Sequence, residues 1–352
     1  MSVGRSSGSG ATIKDIAEKL GLSHTTVSRA INDHPHISEA TKALVRQAAD
    51  DLLYVPHSAA RTVRRGHGHL VALVVPNVQT EFYNTVAKVL GQQARRAGYQ
   101  LVLGLTEDDP HTELAHCQTL VEARAAGIII TPSAAPLKRT MELLGRTTCL
   151  QLNRYLPQLK CDGVGFDDAA GVRLATDHLL SLGHRRIGWI GAEIATSTGA
   201  GRLRGYLEPQ RALGIEPDPS IIKLGAPRPA FGHHSMLELL QHPEPPTAII
   251  MSSSELTAGG LEAVHAARVA VPDDVSLVGY TDPIWYRLIV PAMTTIALPV
   301  TQVAETTASI LFSRIEGRAD QSNAAHKPTP SRIVLTPECI VRDSTAPPRV
   351  RG

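Results

Sequence analysis

Residues 22–32 read LSHTTVSRAIN, and this stretch decides how the first part of the chain folds. Its middle consists of hydroxylated and β-branched side chains, which have low intrinsic helix propensity. The flanking residues nevertheless carry helix signals, because Thr12 and Asp15 have capping-box spacing, Gly21 can end a helix, and Ser23 can cap the next one. A helix built from such residues indicates that its outer face was selected for something other than helix stability.

The segment 11–56 is predicted to form three short helices. The first has an apolar face, the second runs from Ser23 to about Ala30, and the third is capped by Ser38. The apolar positions that repeat at helical spacing are Ile13, Ile16, Ala17 and Leu20 in the first helix, and Ala40, Leu44, Ala48 and Leu52 in the third. Two helices joined at Gly21 by a short turn are typical of a helix–turn–helix domain.

The second helix has a polar outward face. Small polar side chains allow a helix to approach base edges and phosphates closely, and an arginine can donate two hydrogen bonds to guanine. The alternative is an ordinary solvated face, but the three caps, the turn and the basic segment after residue 57 together favour DNA binding. The outward-facing residues are Ser23, His24, Thr25, Ser28, Arg29 and Asn32.

Charge is unevenly distributed along the chain. Residues 1–69 hold nine Lys/Arg and six Asp/Glu, a net charge of +3, whereas the whole chain of 352 residues carries +2. A basic head on a neutral body is consistent with a polyanionic partner. The four cysteines form no CxxC pair, the N-terminus lacks an apolar secretory signal, and no run of about 18 apolar residues occurs. We therefore expect a cytoplasmic protein with no disulfide, metal, cofactor or membrane span.

After residue 69 the chain alternates apolar strands with amphipathic helices. This rhythm predicts α/β architecture with two parallel sheets that carry helices on both faces. The predicted strands are 70–76, 100–105, 127–131, 147–152, 186–190, 247–251 and 275–279. The predicted boundaries are a tail at 1–10, the helix–turn–helix domain at 11–56, a linker or hinge helix at 57–68, a body at 69–345 and a tail at 346–352.

Long motifs in both parts resemble one family. ATIKDIAEKLGLSHTTVSRAIN (11–32) and ISEATKALVRQAADDLLYVPHSAAR (37–61) are similar to the head of the lactose/galactose repressor family of bacterial transcription factors. HLLSLGHRRIGWIG, RLRGY, VPDDVSLVGY and PAMTTIALP follow in the order typical of that family. The resemblance implies a body like periplasmic sugar-binding proteins. It also implies a homodimeric regulator, most often a repressor, that binds a pseudo-palindromic operator and responds to a small-molecule effector, with no catalytic residue. The two lobes would comprise 69–166 with 299–326 and 167–296 with 331–345.

The resemblance also implies roles for residues of the head and hinge. His24, Thr25 and Arg29 would meet base edges, and Tyr54 would pack and touch the DNA backbone. In the hinge, His57 and Val63 stand where the family usually has Asn and Leu, and Arg61 keeps its usual place. Val63 would then be a shorter wedge in the minor groove, or a plain linker residue. The phosphate-contacting or capping residues would be Ser23, Thr26, Ser28 and Asn32.

The effector cleft departs from the family pattern. Thr80-Glu81 replaces Asn-Pro, Ala200 replaces an arginine, Ser252-Ser253-Ser254 replaces Ala-Asn-Asp, and Thr281 replaces an aspartate. Sugar sites need such groups to satisfy a ring of hydroxyls. We therefore weigh a non-standard effector, or none, against a typical sugar bound through different residues. The candidate effector-binding residues are Thr80, Phe82, Tyr83, Asn153, Arg154, Phe166, Asp167, Arg202, Ser253, Thr281 and Asp282.

Two other functions have weaker support in the sequence. GAGRLRG (199–205) resembles a dinucleotide fingerprint, but the preceding predicted strand ends about eight residues earlier, which favours packing glycines at a helix start. A secreted sugar receptor would share the body. The helix–turn–helix head and the missing signal sequence argue against that function. His111, Glu113, His116 and Cys117 lack a standard metal-ligand spacing and favour a surface helix.

Overall fold

The computed structural model describes residues 11–54, 67–320 and 329–349, without the side chains of 318–320. Three helices form the head: α1 (Ile13–Leu20), α2 (His24–Ile31) and α3 (Glu39–Asp51). The capping box of α1 is confirmed, because the Thr12 hydroxyl accepts from the Asp15 N–H and the Asp15 carboxylate accepts from the Thr12 N–H at 2.7 Å. Gly21 ends α1 with φ 62°, a left-handed conformation that glycine adopts without steric cost.

The head has its own small core. Val27 of α2 and Val45 of α3 have no exposed surface, and they pack with Ile16 of α1. Apolar residues at helical spacing thus join the three helices, which leaves the opposite face of α2 free of any packing role. The buried members of this core are Ile16, Ala17, Val27, Ala30, Val45, Ala48 and Tyr54.

The body contains two six-stranded sheets, and the first has the order β11-β5-β4-β3-β1-β2 with every pair parallel. Buried apolar runs such as LVALVV in β1 suit central strands covered on both faces. The strands of this sheet are β1 (Leu70–Val75), β2 (Gln100–Leu105), β3 (Gly127–Ile130), β4 (Cys149–Leu152), β5 (Asp162–Phe166) and β11 (Arg332–Leu335). Its helices are α4 (Glu81–Arg96), α5 (Pro110–Glu122), α6 (Lys138–Leu144) and α11 (Val300–Asp320).

The second sheet has the order β12-β10-β9-β8-β6-β7. It departs from the predicted all-parallel sheet, because β12 runs antiparallel to β10 at the edge. The strands are β6 (Ile187–Ala192), β7 (Ile222–Gly225), β8 (Ala248–Met251), β9 (Ser276–Tyr280), β10 (Thr294–Ala297) and β12 (Glu338–Ile340). The helices are α7 (Asp168–Ser181), α8 (Ser197–Ala212), α9 (Pro229–Leu240) and α10 (Ser254–Ala267).

Two predicted boundaries near the C-terminus were wrong. Residues 331–335 were assigned to the second lobe, but β11 pairs with β5 of the first sheet, where Ile333 and Leu335 pack on the first core. Residues 346–349 were assigned to a tail, yet the Ala346 carbonyl accepts hydrogen bonds at the second sheet from Ser276 at 3.0 Å, with His184 2.9 Å away. Both segments are short, and partners far away in sequence hold them. The predicted tail 1–10 and most of the predicted linker lie outside the described residues.

The chain crosses between the two lobes three times. The crossings follow β5, β10 and β11, each of which is separated from the next element by only a few residues. Short parallel connections of this kind allow two rigid lobes to rotate relative to each other, because few backbone angles must change.

Gly205 allows α8 to pack closely on α7. A Cβ added at Gly205 would lie 2.3 Å from the carbonyl oxygen of Ala169, which backbone atoms cannot relieve without moving the helices. The stretch 199–205 is therefore within a packed helix, as expected for packing glycines.

We expect Gly205→Ala to lower the free energy of unfolding by about 2 kcal/mol, because overpacking shifts two buried helices. The matched control is Gly91→Ala in α4, where an added Cβ meets only the Leu101 side chain at 3.8 Å. The control should gain about 0.5–1 kcal/mol from the better helix propensity of alanine. Urea titrations followed by circular dichroism measure both changes. Equal stability of the two variants would contradict this packing interpretation.

Candidate functional site

The outward face of α2 is exposed in the pattern that the sequence predicts. His24, Thr25 and Arg29 are exposed, whereas Val27 and Ala30 are buried in the head core. The burial of one face against α1 and α3 explains why a helix of poor intrinsic propensity forms here, since tertiary packing supplies the missing stability.

Several polar residues of this face are committed to the ends of α2. The Ser23 hydroxyl accepts from the Thr26 N–H at 3.1 Å and lies 2.8 Å from the Thr26 hydroxyl. At the other end the Asn32 amide donates to the Ser28 carbonyl at 2.7 Å. These four residues have the capping geometry that their predicted roles include.

Among the described head residues, Arg29 and Lys14 are the cations without an ion pair, and Arg29 is the one that lies on α2. Lys19 pairs with Asp51 at 2.6 Å, and Lys42 and Arg46 both pair with Asp33. Arg29 has no ion-pair partner among the head residues that the structure describes. Its guanidinium is therefore available for a phosphate or a base edge.

Tyr54 is 8% exposed and belongs to the head core. Its predicted packing role fits this position, whereas its predicted contact with the DNA backbone stays a prediction. The hinge residues His57, Arg61 and Val63 lie outside the described residues, so their roles also stay predictions.

A cavity of about 340 Å³ lies between the two lobes of the body. Its size falls in the range of small-molecule sites, and it lies at the carboxyl ends of the strands of both sheets, the usual ligand position in open α/β folds. The walls include eight of the predicted effector-binding residues: Thr80, Phe82, Tyr83, Asn153, Arg154, Arg202, Ser253 and Thr281.

Three predicted residues do not line this cavity. Phe166 is buried in the first core against Phe82, and Asp167 caps α7 by accepting from the Ala170 N–H at 2.9 Å. Asp282 pairs with Arg287 at 2.7 Å and with Arg342 at 2.8 Å, so its charge is used to hold neighbouring segments. The partners of Phe166 and the contact between Asp282 and Arg342 depend on tertiary structure, whereas the Asp167 cap is local.

Sixteen of the 24 lining residues were not predicted from the sequence, which pointed first to positions of the family motifs; six polar ones among them show why. All but one of them shortly follow the carboxyl end of a strand, and that topological rule would have found them. They are Asn77, Asp108, Glu193, Thr196, Glu255 and Tyr280.

Both arginines of the cavity are paired with carboxylates. Arg154 binds Asp108 with two hydrogen bonds, one of them at 3.1 Å, and Arg202 donates to Asp168 at 2.6 Å. Tyr280 completes the second pair, because its hydroxyl donates to Asp168 at 2.7 Å and its ring lies 4.0 Å from the Arg202 guanidinium. Burial raises the pKa of the Tyr280 phenol well above its usual value, so this hydroxyl remains a donor.

Three helices begin at the cavity, and a hydroxyl caps each of them. Thr80, Thr196 and Ser253 accept from the backbone N–H of Tyr83, Gly199 and Leu256 respectively, at 3.1–3.4 Å. These are ordinary N-caps, and they place hydroxyl groups at the cavity edge.

Glu113 lies behind the first-lobe wall of the cavity and is fully buried. One carboxylate oxygen accepts from the Ser133 N–H at 2.7 Å, while Oε1 has no hydrogen-bond partner. Burial raises the pKa of this carboxyl above its usual value near 4.5. Folding therefore shifts this carboxyl toward its neutral form relative to the unfolded chain.

We expect stability to fall as the pH rises from about 4.5 through the raised pKa of Glu113, because the unfolded chain loses this proton first. Glu113→Gln keeps the shape and the acceptor but removes the ionisation. Its melting temperature should exceed that of the unsubstituted chain near neutral pH and converge with it in acid. Thermal melts across pH measure this. A variant that is less stable at every pH would show that the ionised carboxylate is the native form.

Comparison with known proteins gives matches for both the head and the body. Residues 12–57 match the family described as bacterial regulatory proteins, lacI family, and residues 176–345 match a periplasmic binding protein-like domain. The HTH-type transcriptional regulator GalR of Salmonella typhimurium is 32% identical over 97% of this chain and 98% of its own length. The HTH-type transcriptional repressor PurR of Escherichia coli is 30% identical over 96% and 97%. A crystal structure of the lac repressor dimer bound to operator and an anti-inducer has a TM-score of 0.81 at 22% identity, covering 96% of this chain and 100% of the other.

A helix–turn–helix head joined to a two-lobed body with a ligand cavity defines a DNA-binding transcriptional regulator, not an enzyme. Within that class, the chain belongs to the lacI family of bacterial regulatory proteins. Among its described residues, no helix combines the length and apolar composition needed to cross a membrane.

Proposed function

We propose that this regulator is a cytoplasmic repressor that binds a pseudo-palindromic operator as a homodimer and responds to a ligand in the interlobe cavity. The observation that carries the proposal is the outward face of α2, where His24, Thr25 and Arg29 are exposed and free while the opposite face is buried. In helix–turn–helix proteins the second helix enters the major groove.

Two groups of residues in the head have different proposed roles in DNA recognition. Ser23 and Asn32 fix the ends of α2 and lie where phosphates would approach. His24, Thr25 and Arg29 are the residues that would read base edges, and an arginine suits guanine. His57 and Val63 would add contacts at the operator centre, where two hinges meet.

An exposed apolar segment of the second lobe supports the homodimer. Ile284, Leu288 and Val290 are 63%, 72% and 98% exposed, and they fall within seven residues between β9 and β10. Clustered exposure of this kind marks an interaction surface. We propose a second copy of this chain as its occupant, because the related lac repressor has been captured as a dimer on its operator.

The cavity couples ligand binding to lobe geometry. Thr80 and Arg154 belong to the first lobe, whereas Arg202 and Thr281 belong to the second. A ligand that contacts both walls binds best at one lobe orientation, so it shifts the population toward that orientation. Through the dimer this shift would change the spacing of the two heads and hence operator affinity.

Selection of bound sequences from a random DNA pool tests the proposal. We expect a palindrome with two half-sites, and affinity that falls steeply with salt because phosphate contacts release counterions. Recovery of no consensus, or of a single asymmetric site whose binding does not depend on salt, would refute it.

A further inference from the structure

We infer that the cavity takes a positively charged, donor-rich ligand: a small polyhydroxylated molecule that carries a protonated amine, as an amino sugar does. This inference rests on the proposed function, since it concerns the ligand of the same cavity. Four observations on the cavity walls support it.

The positive charges of the cavity walls are already balanced. The guanidinium of Arg154 is paired with Asp108, and that of Arg202 with Asp168. An anionic ligand would therefore have to displace a carboxylate that is already in contact, and displacing a buried partner is costly. Among the described lining residues there is no other cation.

Two carboxylates of the second-lobe wall have no such partner. Glu193 and Glu255 both line the cavity, and neither forms an ion pair within the described part of the chain. They follow β6 and β8, which are neighbouring parallel strands with Ile190 in register with Met251. Both glutamates therefore follow the carboxyl ends of adjacent strands and lie on the second-lobe side of the cavity. The cavity therefore carries an excess of negative charge at that place.

The first-lobe wall also presents an unused acceptor. The Asn153 side-chain oxygen is buried and has no hydrogen-bond partner among the described residues, while the Tyr83 phenol interacts with the same amide group. A buried carbonyl without a donor is destabilising, and a ligand N–H or O–H would supply the missing hydrogen bond. The polar groups of the walls thus include this acceptor together with hydroxyls, carboxylates and the amide groups of Asn77 and Asn153.

The helix N-termini at the cavity do not reverse this balance. Thr80, Thr196 and Ser253 already take one backbone N–H of each helix. In addition, Glu81 and Glu255 lie in the first turns of α4 and α10, where a carboxylate offsets the positive end of the helix dipole. Two of the three helix N-termini are thus offset by a carboxylate, whereas the first turn of α8 contains no acidic residue.

Matched sugars that differ only in charge test the inference. D-glucosamine, D-glucose and D-glucose 6-phosphate, together with the galactose counterparts of all three, would be titrated against the full-length dimer at mildly acidic pH. We expect an amino sugar to bind at least about tenfold more tightly than its neutral parent, because a close ammonium–carboxylate contact stabilises the bound amine. Isothermal titration gives the affinities, and operator release gives the functional response.

Substitutions identify the groups responsible. Glu255→Gln and Glu193→Gln should each weaken binding of the amine more than binding of the neutral sugar, and so reduce the preference for the amine. The matched control is Glu244→Gln, which removes one charge from an exposed position of the second lobe outside the cavity. The control should keep the full preference.

The inference is overturned if a phosphorylated or neutral sugar binds as tightly as the amine, or if neither amino sugar binds. If a neutral sugar binds as tightly as the amine and releases the operator, the charge preference is refuted but the proposed function stands. Failure of the unliganded protein to bind any selected operator refutes the proposed function itself.

Discussion

The double substitution Leu288→Asp and Val290→Asp is expected to convert the dimer into monomers and to weaken operator binding about 10²- to 10⁴-fold. The two side chains are 72% and 98% exposed, so the substitutions remove no buried contact of the free chain. Burying two carboxylates in an apolar contact is costly, and the linkage of the two heads is then lost. Linked heads bind as if at high local concentration, which accounts for the size of the loss.

Sedimentation equilibrium and operator titration with the same samples measure both effects. Leu213→Asp provides the control, because Leu213 is 61% exposed elsewhere on the second lobe. It should leave the dimer and the affinity unchanged. A monomeric double variant that still binds the operator with full affinity would show that the heads act independently, whereas a persistent dimer would place the interface elsewhere.

Arg29→Ala is expected to weaken binding to the selected operator by about 1–3 kcal/mol, which is roughly 5- to 150-fold. Arg29 is exposed on α2 and has no ion-pair partner among the described head residues. If it reads a guanine, the loss should be greatest on the selected half-site and small on sequences with that base replaced. If it contacts only phosphate, the loss should be uniform across sequences and the salt dependence should fall.

Arg46→Ala is the matched control on the same domain. Arg46 already pairs with Asp33 at 3.3 Å, and it lies on α3 away from the outward face of α2. We expect little change in affinity from this variant. Fluorescence anisotropy with labelled operator and half-site variants separates these outcomes. Unchanged affinity in Arg29→Ala would remove Arg29 from recognition.

Local signals in the sequence were enough to predict the helices and caps of the head. Each cap and turn there depends on residues within four positions, as in the bonds between Thr12 and Asp15 or between Ser23 and Thr26. Short-range hydrogen bonds and apolar spacing can therefore be predicted without any knowledge of the tertiary structure.

Only part of the cleft lining could be predicted from the sequence. Thr80, Asn153 and Arg202 were found because motif positions pointed to them, whereas Asp108 and Glu255 became visible only when the strand ends of two sheets came together. Asp282 does not line the cavity, and one of its two arginine partners, Arg342, lies 60 residues further along the chain.

By itself, therefore, the sequence determined the helix–turn–helix head, the α/β class of the body and the family, since these follow from periodicity, caps and contiguous motifs. The tertiary structure alone decided which charges of the cleft are paired and which are free. It also decided that residues 332–335 join the first sheet and that Ala346 is anchored to the second. The physical reason is that ion pairs and sheet edges depend on distances between residues that are remote in the chain, and no local pattern records those distances.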